Sequence, residues 1–231
     1  MKKLSLKNSI LITAFTVGII WCIKSSEFIF HIDLSWLGVY PQTMHGLLGI
    51  LTAPLIHGSL EHIFNNTLPM LILGTLLLYG YPKSRWRVLA TIWILSGVGV
   101  WLFGRESYHI GASGLTHGVF FYLLVVSMFR RDKRSVAIMM TAFFLYGGMT
   151  MTIFPREEGI SFEYHFFGAL AGACSAVLWH SLDPKPKMKT YEWEKQPESD
   201  DPIIGDAWQI NEQSIDPNIQ RHSHNSDKEK H

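Results

Sequence analysis

The sequence predicts an all-α membrane protein: a bundle of six transmembrane helices with both termini in the cytoplasm. Three observations lead there. Six apolar segments follow one another, each near the roughly 20 residues that a helix needs to cross about 30 Å of hydrocarbon. The basic residues between them fall overwhelmingly on one side of the alternation. The charges themselves are unevenly placed: residues 182–231 carry 18 of the 39, leaving 21 for the first 181 residues.

In chain order, the first apolar segment spans about 8–23 and follows Lys2, Lys3 and Lys7. Lys24, Ser25, Ser26 and Glu27 come after it, with no small-residue cleavage site, so it reads as a retained signal anchor. A long loop, roughly 24–57, carries Phe28, Phe30, Trp36, Leu37, Tyr40 and Leu51 and is expected to lie partly in the bilayer interface. Segments 60–79, 88–104, 113–129, 136–154 and 162–181 follow, joined by short loops. Pro69 interrupts the second segment and either kinks it or leaves a carbonyl for a neighbouring donor. The fifth is bulky and contains Gly147-Gly148; this helix and the loop Pro155–Ser161 are candidates for substrate entry, or an ordinary lipid-facing helix.

With a cytoplasmic N-terminus, thirteen Lys and Arg lie inside (Lys2 through Lys189) against Lys24, Arg105 and Arg156 outside. The domain reading is therefore 1–181 as a membrane-embedded domain and 182–231 as a polar, disordered cytoplasmic tail. That tail contains five prolines and no usable hydrophobic period. The whole-chain mean hydropathy of +0.14 blends these two unlike regions.

Composition excludes several classes. A net charge of +1 gives no footprint for nucleic acid. Cys22 and Cys174 stand in apolar stretches without CxxC or CxxH spacing, which excludes a disulfide scaffold or a zinc finger. No metal site or cofactor is expected; His222, His224 and His231 in the tail are scattered.

Polar side chains within lipid are costly and face a bundle interior or a wet cavity. Here they are His57, His62, Asn65 and Asn66 around the start of the second segment, Ser113 and His117 in the fourth, and His165 in the sixth. These three segments run in the same direction. Ser113 lies 17 residues before Arg130, Asn66 17 before Lys83, His165 20 before Lys185 and His62 21 before Lys83. At 1.5 Å per residue, all four stand roughly 25–32 Å above the inner face, in one layer. Packing polars with no common task have no reason to share a depth, so the layer reads as one site.

Small residues point the same way. Gly111, Gly114 and Gly118 in the fourth segment, and Gly168 and Gly172 in the sixth, let two helix backbones approach closely. Such packing brings His165 within reach of Ser113. A serine hydroxyl becomes nucleophilic when a base takes its proton, and histidine suits that task near neutrality. The oxyanion formed in amide cleavage needs fixed donors. The Ser113 amide at a helix N-terminus, Asn66 and His62 are available, the last two being four apart on one face. Glu61 and Glu163 are badly placed to orient the base, so a Ser/His dyad is favoured over a triad.

The run His57-Gly58-Ser59-Leu60-Glu61-His62-Ile63-Phe64-Asn65-Asn66, then Gly111-Ala112-Ser113-Gly114, then His165-Phe166-Phe167-Gly168 with Gly172, resembles the rhomboid intramembrane serine proteases. The resemblance implies Ser113 as nucleophile, His165 as general base, and an oxyanion hole from His62, Asn66 and the Ser113 amide. It implies that His57 supports the site and that Gly111 shapes the turn presenting Ser113. Gly114, His117, Gly168 and Gly172 complete that support. It further implies a water-accessible cavity open to the outer face and substrates that are themselves transmembrane helices with helix-destabilising residues near the cut.

Two positions depart from the family pattern. His117 stands where many bacterial members have a tyrosine packed against the base; it either replaces one ring by another or alters the proton chemistry. The Trp-Arg pair of the first outer loop is absent, Ser35-Trp36-Leu37 keeping only the Trp, which questions how that loop is anchored. The expected partners are transmembrane protein substrates and the lipid bilayer, in a bacterial inner membrane; the sequence leaves the oligomeric state open. The competing reading is a catalytically inactive rhomboid-like protein that binds or chaperones transmembrane helices. A small transporter is disfavoured, because the core acidic residues lie at span ends and no six-span repeat is visible.

Overall fold

A computed structural model describes residues 4–155 and 161–186. The tail expected from residue 182 lies, from 187 onward, outside the described residues, as do residues 156–160 of the candidate entry loop. Among the described residues there are seven α-helices: α1 Leu6–Phe30, α2 Gly46–Thr52, α3 Leu60–Gly80, α4 Arg85–Phe103, α5 Ser113–Arg130, α6 Lys133–Tyr146 and α7 Phe162–Trp179. Extended pairing among them is limited to one antiparallel bridge, Val39 with His109.

Four helices, α1, α3, α4 and α5, are long and apolar enough to cross a membrane. In hydrocarbon only a helix satisfies every backbone group locally, so continuous apolar runs of this length fold this way. The 18 residues of α7 open on a polar first turn containing Glu163, Tyr164 and His165. The fifth apolar segment differs from expectation: α6 has 14 residues, a rise of about 21 Å, and gives way to a 3-10 turn at Gly147–Thr150. The paired glycines, poor helix formers, mark the change. Pro69 lies inside α3, which continues through it.

Close approaches fix the helix directions. A Cβ at Gly168 would strike Gly114 O and one at Gly172 would strike Gly118 O, so α5 and α7 run parallel with their glycines in register. Thr13 bonds Thr75 at 3.0 Å and Trp21 bonds Thr67 at 3.0 Å, so α1 is antiparallel to α3. Gly80, ending α3, meets Ile138 near the start of α6. The N-termini of α3, α5 and α7 therefore gather at one end of the bundle.

Helix α5 is central, packing on α3, α4, α6 and α7. Phe120, Leu123 and Val126 join Leu73, Leu77, Val88, Ile92 and Ala176 in the core. By contrast α1 turns Ile10, Leu11 and Phe15 outward. At the end away from the site, charges do more than mark topology. Asp183 accepts from Lys83 N (2.7 Å), Ser84 N (3.2 Å) and Ser84 Oγ (2.6 Å). Arg130 donates to the carbonyls of His180, Asp183 and Pro184 and to Asp132. These bonds tie the C-terminal end of α7 to the α3–α4 and α5–α6 connections.

The loop before α3 is anchored through its backbone instead of a Trp-Arg pair. Val39 and His109 exchange two main-chain bonds of 3.0 and 2.9 Å, and Gly111 N donates to Ala53 O at 2.9 Å. Trp101 Nε1 donates to Thr43 O at 2.9 Å, holding the loop to α4. Trp36 is exposed and has no part in this.

Candidate active site

Three helix N-termini build the site, and they are capped differently. Ser59 caps α3, its hydroxyl accepting from His62 N at 3.0 Å, which sets His62 in the first turn. Ser161 caps α7, accepting from Tyr164 N at 3.2 Å, which sets His165 in the first turn. Helix α5 begins at Ser113 with Ala112 as its N-cap and no side-chain cap. The first N–H groups of a helix have no intrahelical partner and carry the positive end of its dipole. Those of α5 thus remain available to an anion beside the Ser113 hydroxyl.

The turn into α5 depends on Gly111, whose φ of +110° lies where side chains are strained. A Cβ there would meet His62 Cε1 and Nε2 at 2.6 Å, so the imidazole packs directly on the Gly111 backbone. Ala112 N donates to His57 Nε2 at 3.3 Å, fixing the peptide just before Ser113. His57 is 1% exposed, and burial holds its imidazole down at about 3, so it stays a neutral acceptor. His57 and His62 meet edge to face at 4.9 Å between ring centres.

Ring tautomers follow from the partners, because a carbonyl only accepts and a backbone amide only donates. His165 Nδ1 meets Thr152 O at 3.0 Å, so Nδ1 bears the proton and the neutral ring presents a lone pair at Nε2. Gly58 N donates to His62 Nδ1 at 3.4 Å, so the neutral His62 bears its proton on Nε2, the atom against Gly111. His117 stacks on His165, with ring centres 3.9 Å apart and planes 7° from parallel. Both nitrogens of His117 are engaged: Nδ1 donates to Ser113 O (2.7 Å) and Nε2 meets Thr152 Oγ1 (2.7 Å).

Of the residues expected in the site, Ser113, His117, Gly111, Gly114, Gly168, Gly172, His165, His57 and His62 form one connected set. Asn66 is buried beside them, but its amide turns back to donate to His62 O at 3.0 Å. Among the described residues no hydrogen bond joins Ser113 Oγ to His165. Glu163 faces away, as its position two residues before His165 suggests. It pairs with Arg105 at 3.4 Å and lies 4.0 Å from His109 Nδ1. Thr152 was not singled out from sequence; only a hydroxyl within a span hinted at it.

Among the described residues no group of three or more His, Cys, Asp or Glu is arranged to hold a metal. A cavity of about 510 Å³ lies elsewhere, between α1, α3, α4 and α5, with Pro69, Leu73, Trp86 and Trp93 in its apolar wall. Chemically, the Ser/His layer combines a hydroxyl at a helix N-terminus without a side-chain cap, an imidazole whose Nε2 lone pair has no hydrogen-bond partner among the described residues, and a second imidazole whose Nε2–H likewise has none among them.

Comparison with known proteins identifies the family. The family described as "Rhomboid domain" matches residues 45–182, from α2 to just beyond α7. The chain is 37% identical over 160 residues to uncharacterized proteins of Mycobacterium bovis and Mycobacterium tuberculosis, covering 65% of this chain and 66% of each relative. An uncharacterized protein of Mycobacterium leprae is 35% identical over 151 residues, covering 61% of this chain and 59% of that relative. The family match covers well over half of the 231 residues, and the chain belongs to the rhomboid family.

Proposed function

We propose that this chain is an intramembrane serine endopeptidase that cuts transmembrane segments of other membrane proteins near the outer face by a Ser113–His165 dyad. The observation that carries the reading is the hydrogen bonding of the imidazoles around Ser113, from which their tautomers follow. His165 has its proton held on Nδ1 by the Thr152 carbonyl, which leaves Nε2 as base. In the proposed reaction Ser113 Oγ turns to His165 Nε2, gives up its proton and attacks the scissile carbonyl. The resulting oxyanion is held by the Ser113 amide and His62 Nε2–H, with Asn66 joining once its amide swings from His62 O. The imidazolium then returns its proton to the leaving amine. His117, with both nitrogens occupied, supports the base and takes no proton.

The same proposal includes six spans with both termini cytoplasmic, α6 and α7 completing the four long apolar helices. It places residues 1–181 in the bacterial inner membrane as the protease domain, with 182–231 as a cytoplasmic tail. The bias of thirteen basic residues to three supports that orientation.

One observation favours a second reading, a catalytically inactive protein that binds or chaperones transmembrane helices: Ser113 Oγ has no hydrogen bond to His165. Catalytic bonds are often long in a free enzyme and tighten with substrate, so the protease reading is preferred. A serine-directed fluorophosphonate separates the two. Labelling of the wild type that is lost in Ser113→Ala and His165→Ala, together with loss of cleavage of a model transmembrane substrate, is expected. Undiminished cleavage by Ser113→Ala would sink the mechanism.

A further inference from the structure

We propose that Thr152 is a positioning residue of this site, holding both stacked imidazoles through two different atoms. The proposal rests on the protease reading for its kinetic consequence, though not for its geometry. Stacking at 3.9 Å and 7° fixes the plane of the His165 ring but does not decide which of its nitrogens bears the proton. Two arrangements then compete: one with a lone pair at Nε2, and one with the proton there and nothing to receive the serine proton. The Thr152 carbonyl, 3.0 Å from His165 Nδ1, selects the first.

The hydroxyl of the same residue holds the other ring. His117 Nδ1–H is given to Ser113 O, so its Nε2 accepts from Thr152 Oγ1–H at 2.7 Å. Met149 O, 3.1 Å from Oγ1, is the alternative acceptor for that hydroxyl. A circuit results that starts at the carbonyl of Ser113, crosses His117 to the Thr152 side chain, and returns from the Thr152 carbonyl to His165. Thr152 is half-buried in the turn after the 3-10 segment Gly147–Thr150, between α6 and α7. Among the described residues its N–H makes no main-chain hydrogen bond, the turn being held by Met151 N to Gly148 O and Phe154 N to Met151 O. The seating of its carbonyl against His165 is assigned to the hydroxyl contact with His117. Valine at this position keeps the shape and removes the hydroxyl; serine keeps the hydroxyl.

The test uses the full chain in proteoliposomes, comparing Thr152→Val and Thr152→Ser alone and in a His117→Phe background, with the thermal midpoint of each. Thr152→Val is expected to lower kcat roughly ten-fold at unchanged KM, a partial loss of the 10²–10⁴-fold that a positioned base contributes. Thr152→Ser is expected to stay within about two-fold, and with Phe at 117 the two are expected to be equal, since the ring they act through has no nitrogen. Equal impairment by Val and Ser in the wild-type background, or a full Val effect beside His117→Phe, would overturn the proposal. Imidazole ¹⁵N resonances supply a readout that needs no cleavage. The His117 Nε2 signal is expected to shift in Thr152→Val and to hold in Thr152→Ser; an unmoved signal in Thr152→Val overturns it. A wild type that neither cleaves nor takes up fluorophosphonate refutes the protease reading, while these resonances still decide the role of Thr152.

Discussion

Replacing Gly168 by alanine tests whether the closeness of α5 and α7 sets the reaction geometry. The added Cβ points into Gly114 O, with Gly114 C at 2.8 Å and Gly114 Cα at 3.0 Å. These are main-chain atoms of α5 and cannot step aside as a side chain would. Carbon atoms rest at roughly 3.5–4.0 Å, so the helices must separate by about 1 Å at this level. His165 lies three residues before Gly168, and Ser113 directly precedes Gly114, so the separation is transmitted to both. A displacement of about 1 Å costs on the order of 10²-fold in rate, or about 2.7 kcal/mol of activation free energy. Overpacking costs the fold about 1–3 kcal/mol, small enough for the protein to remain in the membrane. The assay is cleavage of a model transmembrane substrate in proteoliposomes, with thermal unfolding alongside and Gly148→Ala as control. A Cβ at Gly148 meets nothing within 4 Å, so that control is expected to behave as wild type. Full kcat in a folded Gly168→Ala protein, or an equal loss in Gly148→Ala, refutes the reasoning.

Gly111→Ala combines a φ of +110° with a 2.6 Å contact on His62 and is expected to cost about 1–3 kcal/mol. It should also slow fluorophosphonate labelling of Ser113, which is read from the labelling rate. His57 is lowered from 6.5 to about 3 by burial, so its neutral form stabilises the fold above pH 6.5 and that stabilisation is lost as pH falls toward 3. By pH 5.5 the loss is about 1.4 kcal/mol; thermal midpoints between pH 7.5 and 5.5 should fall less in His57→Gln than in the wild type. Asp183→Ala removes the acceptor of Lys83 N, Ser84 N and Ser84 Oγ, leaving the buried Ser84 N without it while the hydroxyl keeps Tyr122, and is expected to destabilise by about 1–3 kcal/mol, seen as a lowered unfolding midpoint.

The gathering of Ser113, His165 and His62 at one end of the bundle was legible in the sequence, because a helix converts residue number into length at a constant rise. The small residues at 114, 118, 168 and 172 were equally readable, since a backbone contact needs only the absence of a side chain. The starts of α3, α5 and α7 fall on Leu60, Ser113 and Phe162, at or beside the apolar boundaries expected for them. The fifth segment was less legible. Its apolar run continues to Phe154 while the helix ends at Tyr146, because hydropathy does not register where Gly147 and Gly148 release the backbone.

Local pattern therefore decided the helical class, the family and the residues that face one another, because lipid leaves the backbone no other choice and chemistry singles out the polar exceptions. Packing decided what those residues do to each other. The tautomer of His165, the double engagement of His117 and the part played by Thr152 depend on which atom of a ring meets which partner across three elements. Arg130, read from sequence as a topology signal, and Asp183, read as part of the polar tail, likewise form bonds that join positions 53 and 100 residues apart. Hydrogen bonds are short and directional, so their partners are set by the folded arrangement and leave no periodicity in the chain that forms them.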